Sequence, residues 1–149
     1  MGFVVYRFAL QPVLNHRKFI EEGLQKELSC LNESLADEKR KLQSLGKARI
    51  RFSEDLRNKK EENTNVSIIM LYVGFLERLL KDIEEQKKEI LKAEEKAEKK
   101  RKEVVEAMKN RKSIEKLKEK KVREYTRVLL KKEQDFVNEI SINRYNRGI

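Results

Sequence analysis

Tryptophan is absent from this 149-residue chain, and proline, cysteine and histidine each occur once, as Pro12, Cys30 and His16. There are five glycines, all isolated. Each scarcity excludes something. A single histidine leaves no Ser-His-Asp or Cys-His arrangement and no multi-histidine metal set. A single cysteine allows no disulfide framework, which fits a reducing compartment. Scattered glycines form no phosphate-cradling loop. So few chain-reversing residues give strands and tight hairpins almost no support. No apolar run approaches the roughly 20 residues of a membrane span. The opening stretch Met1 to Leu10 is short, without a charged lead or a cleavage site, so a signal peptide is not expected. The chain reads as a non-enzyme with no cofactor and no metal.

What the chain has in abundance is charge. Charged residues make up 42% and hydrophobic residues 38%. That balance, rich in Lys, Glu, Arg and Leu, is typical of a coiled coil or long helix. The net charge is +10. Between Lys92 and Lys132 there are 17 Lys and Arg against 8 Asp and Glu, so nearly all of the excess lies on one stretch. A basic stripe attracts nucleic acid, anionic lipid or an acidic protein surface, or simply keeps a rod solvated. Cys30, between Leu28 and Leu31, and His16 both read as helix-flank residues.

The apolar residues recur every 3.5 positions. Alternate steps of four and three from Leu10 reach Leu14, Arg17, Glu21, Leu24, Leu28, Leu31, Leu35, Glu38, Leu42, Leu45, Arg49, Phe52 and Leu56; ten of these fourteen positions are apolar. The polar segment Lys59 to Asn65 follows, with Ser67 as a candidate helix cap. A second ladder then runs Ile69, Val73, Leu76, Leu80, Ile83, Lys87, Ile90, Glu94, Ala97, Arg101, Val104, Met108, Arg111, Glu115, Lys118, Val122, Tyr125, Leu129, Lys132 and Phe136. Two such ladders predict an all-α fold: a long antiparallel two-helix coiled-coil hairpin whose second helix overhangs the first. The expected layout is one elongated domain over residues 1–149. Its first helix spans about 8–60, its turn about 61–67 and its second helix about 68–144.

Two features exceed what a hairpin needs. With Leu56 near Ile69, Leu10 is expected beside Glu115, leaving later residues without an intrachain partner. Val122, Tyr125, Val128, Leu129, Leu130, Phe136, Val137, Ile140, Ile142 and Tyr145 are nonetheless apolar, and Phe3, Val4, Val5, Tyr6 and Phe8 lie at the same end. Such an overhang reads as a protein interface, or as a segment that dimerises or frays. Near the turn, Ile68, Tyr72, Phe75 and Leu79 make a second stripe beside the seam, with Leu45 and Phe52 nearby. This reads as a second partner's site or a locally thicker core.

Three ordered blocks carry a family resemblance. They are Phe8-Ala9-Leu10-Gln11-Pro12-Val13-Leu14 with Arg17 and Gln25-Lys26-Glu27-Leu28; Val66-Ser67 with Tyr72 and Phe75-Leu76-Glu77-Arg78-Leu79; and Glu115-Lys116-Leu117-Lys118-Glu119-Lys120 with Tyr125, Glu133-Gln134, Glu139-Ile140 and Arg144. Together they resemble the FliJ family of flagellar export proteins, with Asn138 departing from an often acidic position. The resemblance implies a non-enzymatic, cytoplasmic part of the flagellar type III export apparatus, peripheral to the inner membrane at the flagellar base and meeting the membrane only through the export gate. It implies a stalk-like coiled coil that enters the hexameric export ATPase FliI, contacts the cytoplasmic domain of the gate protein FlhA, and escorts export chaperones. On this reading Phe8, Leu10, Gln11, Leu14, Tyr125, Leu129, Gln134 and Phe136 face the ATPase ring, and Leu45, Phe52, Phe75 and Leu79 face the gate. The alternatives are a generic coiled-coil tether and a basic nucleic-acid-binding coiled coil. Against the latter, Glu94, Glu95, Glu98, Glu103 and Glu106 interrupt the basic run.

Overall fold

The computed structural model describes residues 6–148, so Phe3, Val4 and Val5 of the amino-terminal apolar strip lie outside the described residues. The fold is all-α, a helical hairpin of two long helices that pack against each other, with no strand among the described residues. Helix α1 spans Gln11–Glu61 and helix α2 spans Val66–Arg147. The first helix starts three residues later than expected. Leu10 supplies the first helical carbonyl, accepting from the Leu14 N–H at 2.9 Å, and Pro12 sits in the first turn, where its missing N–H costs nothing.

The turn is shorter than expected because both of its ends are capped. Asn63 adopts φ 53°, and the N–H groups of Asn63 and Thr64 donate back to the Lys60 and Lys59 carbonyls at 3.4 and 3.3 Å. This is the left-handed closure that satisfies a helix's last carbonyls, and asparagine tolerates it better than any branched residue. Lys59 and Lys60 place positive charge on the same helix end. The cap of α2 is Asn65 rather than Ser67. Its Oδ1 accepts the Ser67 N–H at 3.1 Å, so Ser67 is the capped residue and α2 begins at Val66.

Contacts divide the chain into two units: one of the chain up to Glu22 with Val105 onward, the other Gly23–Val104. In the second unit α1 and α2 form an antiparallel pair. Leu24, Leu28, Leu31, Leu35, Glu38, Leu42, Leu45 and Phe52 of α1 are shielded from solvent, as the first ladder predicts, except that Ala48 replaces Arg49. On α2 the shielded set is Ile69, Tyr72, Leu76, Leu79, Ile83, Gln86, Ile90, Ala93, Ala97, Lys100 and Val104. From Val73 to Glu115, every second position of the predicted ladder moves back by one residue. Leu79 is 6% exposed and Leu80 42%. One residue is about 100° of helix rotation, so the shift decides which side chains face the partner. The physical reason is charge. The predicted alternate positions include Lys87, Glu94, Arg101 and Glu115; the observed ones are Gln86, Ala93, Lys100 and, in the other unit, Ile114. The adopted register leaves more charge in water.

In the first unit the antiparallel pair is short on the α1 side. Phe8 is buried and Leu14 is 1% exposed, the best-shielded large side chain among those described. Opposite them α2 presents Ala107, Arg111, Ile114, Lys118, Tyr125 and Leu129. Leu10 is not a seam residue; Gln11 is, and its Oε1 accepts from Lys118 Nζ at 2.7 Å. Pairing at this end therefore lies about one helical turn further along α2 than expected.

Candidate functional site

Polar residues inside a seam need partners, and Glu21, Glu38, Gln86, Lys100, Arg111 and Lys118 each have one across the pair. In the first unit the Arg111 guanidinium donates to both carboxylate oxygens of Glu21, with Nη2 3.4 Å from Oε1, and to Glu115 Oε2 at 2.8 Å from Nη1. Glu21 is itself buried, and these two carboxylates, Glu21 first, raise the Arg111 pKa above its ordinary value. In the second unit Gln86 Nε2 donates to the Glu38 carbonyl at 3.0 Å and to its carboxylate. That hydrogen bond, helped by Lys41, holds the Glu38 carboxyl below the usual range. Lys100 bridges Glu27 and Glu103, each at 2.8 Å, and its pKa is raised, by Glu103 first. Unpaired polar groups in an apolar seam are costly, so these contacts favour one register over its neighbours.

Two regions carry apolar surface beyond the seam. The first is the turn end of the second unit. Phe52 packs on Phe75 with ring centroids 4.6 Å apart and on Tyr72 at 6.3 Å. Phe75 remains 42% exposed. Tyr72 and Leu79 are seam residues, so the separate stripe expected from Ile68, Tyr72, Phe75 and Leu79 reduces to Ile68 and Phe75. Leu79 has almost no surface to offer a partner. The sequence reading missed Val66, Met70 and Leu71, which are more exposed than Phe75. Residues 63–76 contain no charged residue, an obvious signal in a chain that is 42% charged. Leu45 lies on the wall of an open groove of about 920 Å³ that also contacts Arg40, Ser44, Asp82 and Gln86.

The second region is the open end of the first unit. Tyr6 packs against Tyr125 with tilted rings, their centroids 5.1 Å apart. Beyond it α2 continues to Arg147, and every residue from Leu130 to Gly148 is exposed. Leu130, Phe136, Val137, Ile140, Ile142 and Tyr145 are among them. Tyr125, Leu129, Phe136 and Ile140 extend the seam face onto this segment at near-heptad spacing, so a partner-ready stripe continues where α1 no longer covers it. Of the residues expected to face a ring, Phe8 and Leu14 are instead buried and hold the helix pair together. Gln11 and Tyr125 are engaged within the chain. Leu10, Leu129, Gln134 and Phe136 keep accessible surface.

Among the described residues no group of three or more His, Cys, Asp and Glu gathers as a metal site, and no helix is long and apolar enough to cross a membrane. Cys30 is a free, exposed thiol. Comparison with protein families gives one match over nearly the whole chain: the family described as Flagellar FliJ protein, over residues 6–149. No curated protein and no solved structure matches.

Proposed function

We propose, from the premise that the chain belongs to the FliJ family of flagellar proteins, that it works as a stalk between the export ATPase and the export gate. Family membership makes it a component of the flagellar export apparatus, and a non-catalytic role belongs to the same proposal. The finer reading has three parts. The open end of α2 enters the ring of the FliI hexamer. The turn end, through Phe75, Phe52 and Leu45, meets the cytoplasmic domain of FlhA. Escort of export chaperones belongs to the same reading on the family resemblance alone, as does a cytoplasmic position at the flagellar base.

The observation that supports the stalk reading is the exposed seam face of α2 beyond Tyr125, which ends in Phe136 and Ile140. A bare apolar stripe on a single helix is costly in water and is relieved by a surrounding protein wall. The test is ATP hydrolysis by a FliI-type hexamer with the full chain added. Wild-type chain should bind and stimulate turnover, and Phe136→Asp with Ile140→Asp should abolish both while helix content is unchanged. Equal stimulation by that variant would refute ring entry by this segment.

A further inference from the structure

The outer face of α2 in the first unit bears a pattern the ring reading does not use. Lys109, Lys112, Lys116, Lys120, Arg123, Arg127 and Lys131 follow one another in steps of three or four residues, so they line one helix face. That face is opposite the one holding Ala107, Arg111, Ile114, Lys118, Tyr125 and Leu129. All seven are exposed, and none forms an ion pair among the described residues. Elsewhere on this chain, exposed bases are often neutralised locally, as Arg40 is by Asp37, Lys87 by Glu84 and Arg101 by Glu98. The ridge is about 33 Å long at 1.5 Å per residue.

We infer that this ridge docks on a line of carboxylates of a protein partner and, resting on the stalk reading above, that the line belongs to the wall of the ATPase ring. The ridge is one side chain wide. Glu106 and Glu124 border one side of it and Glu119 the other. A flat anionic bilayer or a nucleic-acid groove would press phosphates against these carboxylates too, whereas a narrow file of Asp and Glu side chains would not. No aromatic residue interrupts the ridge, as base stacking would require. Five of the seven are lysines, compact charges that attract at a distance without fixing a geometry. The expected consequence is faster encounter rather than tight grip.

The test measures association of the full chain with the ATPase hexamer across a salt series. Lys112→Glu, Lys116→Glu and Lys120→Glu are combined in one variant, and the same three changed to Gln in another. Lys81→Glu, Lys88→Glu and Lys96→Glu form the control with equal charge change. Reversal should slow association at low salt by on the order of tenfold, with the gap closing at high salt, and the Gln variant should fall between. The control should stay near wild type. A folded reversal variant that associates like wild type overturns the ridge, even if the wild-type chain also binds DNA or phosphatidylglycerol vesicles. If that happens while Phe136→Asp still abolishes binding, the stalk reading stands and the ridge alone falls. If the wild-type chain never binds the ring, both fall.

Discussion

Glu21 and Arg111 form an ion pair across the two helices, in the same seam as the buried Leu14 and Ala107, and Glu115 adds a second carboxylate to the same guanidinium. Removing one partner leaves the other in a poorly hydrated place, which costs more than the pair contributes. Glu21→Gln and Arg111→Met should each lower Tm, and the double variant should lose less than the two singles together. Thermal melts followed by circular dichroism measure this. Strict additivity would show that the two groups do not interact.

The burial of Leu14 and Leu79 separates stability from recognition. Leu14→Ala and Leu79→Ala should each destabilise the fold by about 2–5 kcal/mol, the range for truncating a shielded leucine. Phe75→Ala, at a half-exposed position, should cost clearly less and act mainly on gate binding. Urea melts of the three variants give the comparison. Equal losses for Leu79→Ala and Phe75→Ala would put Phe75 in the core.

Most of the architecture is legible in the sequence, and the miss has a definite cause. The α1 ladder predicts its shielded residues almost one for one, because most of its leucines have no large apolar residue next to them to compete for the seam. On α2, by contrast, adjacent apolar residues compete at Tyr72 and Val73, Leu79 and Leu80, and Ala107 and Met108. Choosing the larger member, or the later one, rotates half the seam. Counting charge resolves it, since the alternative steps fall on Lys87, Glu94 and Arg101. The sequence places the end of the turn two residues too late, because Ser67 and Asn65 are equally good caps by composition and only Asn65 lies just beyond the left-handed Asn63. The pairing of Gln86 with Glu38 was not legible, because it depends on the register itself.

The turn yields its own prediction. Asn63→Val forces a branched side chain into a positive φ and should cost about 1–2 kcal/mol. Asn65→Ala removes the acceptor for the Ser67 N–H and should cost about 1 kcal/mol. Asn63→Gly should be neutral or stabilising. Chemical denaturation of the three variants orders them, and a harmless Asn63→Val would mean the closure is not formed in solution.

The Glu38 carboxyl is held below its ordinary pKa of 4.5, first by Gln86 and then by Lys41. The sign follows from linkage. The unfolded chain takes up the proton more readily, so this group's contribution is present above the unfolded pKa and is lost as pH falls through the lower, folded one. Acid titration of Tm should therefore be shallower in Glu38→Gln than in wild type below about pH 4.5. An identical slope for both would remove Glu38 from the account.

In the stalk proposal the bare end of α2 enters the ATPase ring. The most direct measurement places a photo-crosslinking residue at position 136, 140 or 91 of the full chain and illuminates it with the hexameric ATPase and ATP. Leu91 is exposed on the other unit and serves as the control. Crosslinks from 136 and 140 to pore-lining segments of the ATPase, and none from 91, are the predicted result. Absence of crosslinks from both 136 and 140, with the ring assembled and the chain folded, would contradict it.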